Sequence, residues 1–244
     1  MVTLTFGGTL AQTNVSELTI NWASLTGGTI AASVSTTTEG EPSLSDNIQA
    51  FWKFDEASGT RFDAVGVYDL VETGSSITSN TGIINSSAAP TGVGTFELRV
   101  DSSDLATADR DFTVALWLYK NGDALSGNFL EASGTSFSWR FGTTAAGDHH
   151  WYFDVLNSTL AFFRASTPAS GSSIPAGWYF IVGRFNVATK EVTLSVNDGT
   201  VYSNTLTGTP ALGSIVRLSL IGDTTRVDEA GIWSRVLSDA EITA

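Results

Sequence analysis

Cysteine is absent from the 244 residues. No disulfide, thiolate metal site or thiol nucleophile is therefore open to this chain. Basic residues are scarce as well. Lysine and arginine total 12 against 25 acids, for a formal net charge of -13, and the only lysines are Lys53, Lys120 and Lys190. A polyanionic partner requires a basic stripe, so nucleic-acid binding is excluded and an anionic membrane surface is disfavoured. No apolar run approaches the length of a membrane span. Met1 leads at once into the strand-like Val2-Thr3-Leu4-Thr5-Phe6, without the basic and apolar regions of a secretory leader. The expected routes are delivery without such a leader, assembly into a particle, or origin in a longer chain. Hydrophobic residues make up 42% and aromatics 11%, enough for a packed core.

Charge divides the chain. Before Lys53 there is no base at all, only Glu17, Glu39, Glu41 and Asp46. The polar stretch around Glu39-Gly40-Glu41-Pro42 reads as a linker, giving a β segment over residues 1–41 and a second domain over 42–244. The first segment offers three strand-like pieces, around Val2 to Phe6, Val15 to Trp22 and Thr29 to Thr38, too little to stand alone. The second is a series of short alternating strands separated by Gly, Ser and Asn turns, the pattern of an all-β, two-sheet antiparallel sandwich or jelly roll. Phe112 to Tyr119 is apolar on both faces and so predicts a central strand, as does Trp178 to Phe185. Asn197-Asp198-Gly199 supplies a tight hairpin turn. Ser238 with Glu241 forms a capping box for a short C-terminal helix.

Two resemblances follow from the motifs. "VTLTFGGTLAQTNVSELT", "SLTGGT" and "TTTEG" resemble the second half of a β-rich repeat of phage tail, virion and bacterial surface proteins. On that likeness residues 1–41 would dock on a neighbouring domain or another chain, and homo-oligomers are possible. "FWKFDEASGTRFDAVG", "DFTVALWLY", "SWRFGTT", "GWYFIVGRFNVATKEVTLSVNDG" and "RVDEAGIWSRVLSDAEI" resemble the laminin-G-like branch of the concanavalin A-like lectin and glucanase superfamily. That resemblance implies adjacent first and last strands. It also implies that Trp52, Trp117, Trp178 and Trp233, which lie in the family motifs, belong to the core.

The chemistry is then a matter of elimination. Cleavage of β-glucans within this superfamily needs a Glu-x-Asp-x-x-Glu spacing, and none is present. Asp55-Glu56 and Asp228-Glu229 are adjacent pairs, a poor geometry for joint acid and base work. His149 and His150 follow Asp148, but neighbouring histidines rarely share a zinc ion, and no Gly-x-Ser-x-Gly elbow exists. The resemblance implies calcium as a possible cofactor, with Asp55, Glu56, Asp63, Asp228 and Glu229 as candidate ligands in the two motifs that meet if the termini are adjacent. Glycan recognition needs aromatic faces for stacking and polar groups for the hydroxyls. Trp139, Arg140, Asp148, His149, Trp151 and Tyr152 supply both within one stretch, although core packing is the commoner fate of such tryptophans. The expected function is a non-enzymatic, lectin-like adhesion module, glycan-binding and displayed on a virion or cell surface. A purely structural virion decoration or fibre component is the alternative, and a glycoside hydrolase a distant third.

Overall fold

A computed structural model describes residues 43–91, 96–106, 108–121, 127–133, 138–144, 149–169, 174–197, 199–220 and 225–242. The chain divides after Asp46. Of the first unit only Ser43 to Asp46 are described, a turn closed by the Ser43 N–H donating to Asp46 Oδ2 at 2.8 Å. The strand-like pieces expected within residues 1–41 lie outside the described residues.

The second unit is an antiparallel sandwich. One sheet runs in the order β13 (Val201–Thr205), β12 (Glu191–Val196), β11 (Gly177–Asn186), β6 (Phe112–Lys120), β15 (Thr225–Trp233), β4 (Ser86–Pro90) and β3 (Ile77–Thr81), with β1 (Ile48–Trp52) also pairing β15. The other runs β10 (Phe162–Ser166), β9 (Trp151–Leu156), β8 (Trp139–Thr143), β7 (Gly127–Ser133), β14 (Ile215–Leu220), β5 (Phe96–Asp101) and β2 (Val71–Gly74). The short helices α1 (Ser103–Ala106) and α2 (Asp239–Ile242) complete it. First and last strands are adjacent, Ile48 opposite Trp233 and Trp52 opposite Ala230.

Alternation decides which side chains meet between the sheets. On β6, Phe112, Val114, Leu116 and Leu118 point inward, and on β11 Ile181 and Phe185 do so. From the facing sheet come Trp139, Phe141, Phe153 and Val155, all fully buried. Phe141 and Phe153 pack with ring centroids 4.6 Å apart, directly under Gly183 of β11. A Cβ at Gly183 would sit 2.6 Å from Phe141 and 2.7 Å from Phe153, so close approach of the sheets here requires glycine.

The expected hairpin and cap are both present. Asn197 and Gly199 adopt φ of 55° and 76° between β12 and β13. At the C-terminus the Glu241 N–H donates to Ser238 Oγ at 3.3 Å and the Ser238 N–H to Glu241 Oε2 at 2.8 Å. A small second cluster of Ala115, Val182, Trp233 and Leu237, with Ile242 against it, holds this terminal turn on the outside of the eight-stranded sheet.

Candidate glycan-binding face

The tryptophans expected as a stacking platform are not available to a ligand. Trp139 is the first residue of β8 and points inward, tilted against Phe112 and Phe153. Trp151, 5% exposed, packs edge-on to Phe129 and against Tyr179. Both occupy the inward parity of their strands, and the core claims them.

Arg140 and Tyr152 hold the opposite parity and meet on the outer face of the seven-stranded sheet. There they join residues that the local sequence window did not contain. Asp154 is fully buried and accepts from Arg140 Nε at 2.9 Å, Arg164 Nε at 2.8 Å and Arg164 Nη2 at 2.9 Å. The Arg164 guanidinium lies 3.8 Å over the Tyr152 ring, whose hydroxyl donates to Asn128 Oδ1 at 2.8 Å. Arg140 covers the ring of the exposed Phe162 at 4.1 Å. Alternating charge continues across the face through Glu131 and Arg217 to Glu97. Burial raises the pKa of Glu131 and, chiefly by the same cause, that of the Tyr152 phenol. With Tyr152 covered and Asp154 saturated, this face is a braced salt-bridge ladder. His149 is half-buried at the head of β9 with φ 39°. Asp148 lies outside the described residues.

The carboxylates proposed for calcium do not converge as a set. Asp63 accepts from three backbone N–H groups, those of Phe51, Val65 and Tyr68, and so closes its own loop. Glu56 Oε1 accepts from Phe62 N–H at 2.8 Å and lies in the field of Arg61. Asp55 accepts from Ser86 N–H and Asn85 Nδ2. Asp228 Oδ2 accepts from Ile83 and Ile84 N–H at 2.7 and 3.0 Å, while its buried Oδ1 finds no donor. Among the described residues no group of three or more His, Asp or Glu side chains is placed to hold a metal ion. These acids instead tie loops to strands by backbone hydrogen bonds. What remains is electrostatic tension at the bulge of β15, where Glu229 takes φ 47°. Burial, then the charges of Asp228 and Asp55, push the Glu229 pKa up to about 7, opposed by Lys53.

The aromatic surface lies elsewhere. On β6 the outward parity reads Thr113, Ala115, Trp117, Tyr119, and on β11 it reads Trp178, Phe180, Val182, Arg184. These strands pair with Trp178 opposite Tyr119 and Phe180 opposite Trp117. The Trp117 and Phe180 rings lie 5.1 Å apart, the Tyr119 and Trp178 rings 5.5 Å apart and nearly perpendicular. Arg226 of β15 caps Tyr119 at 4.7 Å. All four rings are half-buried. The expectation that Trp117 and Trp178 are core is therefore corrected, whereas Trp52 and Trp233 are buried as expected. The signal was in the parity: Thr113 and Arg184 mark the outward rows of their strands.

Two-sheet antiparallel jelly rolls of this kind serve in lectins and in enzymes alike. The chain belongs to the concanavalin A-like lectin/glucanases superfamily, whose laminin-G-type profile matches residues 93–243, more than half of the sequence. The likeness of residues 1–41 to a phage repeat lies outside that match. No curated protein matches the chain. Among solved structures, the binding domain of botulinum neurotoxin serotype D superposes with a TM-score of 0.63 at 14% identity, over 81% of this chain and 51% of that one. The binding domain of botulinum neurotoxin DC, solved in complex with SialylT, gives 0.60 at 12% over 81% and 50%. A Trypanosoma rangeli sialidase mutant displaying trans-sialidase activity gives 0.58 at 13% over 84% and 33%. The chain thus spans about half the length of the neurotoxin structures it matches, and the shared property is the fold.

Proposed function

We propose that this chain is a non-enzymatic, lectin-like recognition and adhesion module that binds glycan on the outer face of its eight-stranded sheet, displayed on a phage particle or a bacterial surface. The observation that carries the reading is the block of four outward aromatic rings on the two central strands. Contiguous apolar patches on a surface mark interaction sites, and flat aromatic faces suit the CH faces of sugar rings. One fold neighbour is a binding domain solved in complex with SialylT and another displays trans-sialidase activity, which makes a sugar partner the natural first choice. Against catalysis stand the acids themselves. Asp154 is spent on two arginines and Glu131 is buried against Asn128 and Arg217, so neither is offered to a substrate.

The test is a glycan array probed with the full chain and with Trp117→Ala and Trp178→Ala. Binding by the wild type, reduced at least about tenfold in each variant, supports the reading. The same rings would serve an assembly contact in a structural particle component. A solution mass that falls from oligomer to monomer in Trp178→Ala, with a silent array, favours that alternative.

A further inference from the structure

Beyond the aromatic block, the same sheet face carries a second feature on the far side of the C-terminal turn. There a cavity of about 260 Å³ is lined by Arg184, Asn186, Glu191, Thr193, Val201 and Asp239, with Val236 at its wall. We infer that this cavity is a subsite for a single neutral pyranose ring, an inference that rests on the glycan-binding reading and names where a chain end would seat.

Arg184 forms the floor of the donor set. It is 8% exposed on the outward row of β11, and its fixed bonds run from Nε to Thr193 Oγ1 at 3.1 Å and from Nη1 to Leu237 O at 2.9 Å and Asp239 Oδ1 at 2.6 Å. Nη2 forms none of these bonds. A buried guanidinium with an uncommitted donor edge is rigid and pre-oriented, so a ligand oxygen meets it at small entropic cost. Around it stand acceptors and one further donor. Glu191 is exposed at the start of β12, Asp239 presents a largely exposed carboxylate, and Asn186 spends Oδ1 on the Ala188 and Thr189 N–H groups at 3.0 Å each, which leaves its amide nitrogen to donate.

Charge selects the ligand. One cation and two carboxylates line the cavity, a net of -1 in a chain already at -13, so a sugar acid or phosphate is repelled. Donors beside carboxylates match a vicinal diol, each hydroxyl of which both gives and accepts. Val201 and Val236 supply apolar wall for the ring's CH groups. The volume falls below the range of drug-sized pockets, which fits one ring and not an oligosaccharide.

The experiment follows the Arg184 Nε–H resonance in the full chain during titration with D-glucose, D-galactose, D-mannose, N-acetyl-D-glucosamine and, as the anionic control, D-glucuronate. At least one neutral sugar should shift it saturably in the wild type. Glu191→Gln should weaken that sugar at least about tenfold. Val201→Trp, which fills the cavity from an exposed edge strand, should abolish the shift with the melting temperature kept. Failure of every neutral sugar, a shift retained in Val201→Trp, or tighter binding of glucuronate overturns the subsite. Array binding that Trp178→Ala removes and Val201→Trp leaves intact, with a still resonance, sinks the subsite while the glycan reading stands. A shifted resonance with a silent array upholds the subsite and moves the failure to the aromatic block.

Discussion

At the residue scale, identical side chains have opposite duties according to parity. Trp139 fills the core and Trp178 lies on the surface, so truncation separates them. Trp139→Ala should cost about 3–5 kcal/mol in denaturant unfolding, as large aromatic deletions in cores do. Trp178→Ala should cost about 1 kcal/mol, the worth of a cross-strand aromatic pair. Glu229 gives a second prediction, in pH. Its carboxyl in the folded chain is held up to about 7, above the ordinary value of 4.5, so the folded state binds the proton more tightly than the unfolded one. Stability should therefore rise as pH falls from about 8 toward 5, and Glu229→Gln should flatten that rise in melting temperature. Glu241 has the opposite sign. Its hydrogen bond with Arg235 holds it down to about 2, so its contribution is complete above 4.5 and is lost as acid approaches 2. An optimum between the two windows is expected, and a melting temperature that climbs from pH 5 to 8 would contradict the reading of Glu229.

At the element scale, the central pair β6 and β11 does two jobs, one on each face. Gly183 lets the inner rings of the other sheet approach β11, so Gly183→Ala should cost about 1–3 kcal/mol by overpacking, read from the shift in denaturation midpoint. The terminal turn is lighter. Ser238→Ala removes the acceptor for Glu241 N–H and should cost about 1 kcal/mol. The central strands, the Asn197 hairpin and the Ser238 cap were legible in the sequence because each rests on local chemistry. The faces were not. Phe112 to Tyr119 is apolar in both parities, and only Thr113, four residues before Trp117, hints at which row meets solvent. The Arg140–Asp154–Arg164 group was not legible because both arginines reach Asp154 only through the cross-strand pairing of β8, β9 and β10, 14 and 10 residues away in sequence.

At the scale of the whole molecule, a scarcity of charge and the lack of cysteine leave the described residues to be held by sheet pairing and the aromatic core between the sheets. The acids that looked like ion ligands act as anchors for loops, Asp63 under Tyr68 and Asp228 under Ile83 and Ile84. The residues expected to bind glycan together were split between core and surface by the pleat, and the glycan proposal rests instead on the rings of β6 and β11. Family motifs named the fold correctly, yet a motif tryptophan reports the strand it sits on and not the face it takes. The most direct measurement is the glycan array on wild type and Trp178→Ala together. The account predicts a wild-type signal on defined glycans that the variant loses while keeping its fold. Equal signals from the two proteins, or none from either, would contradict it.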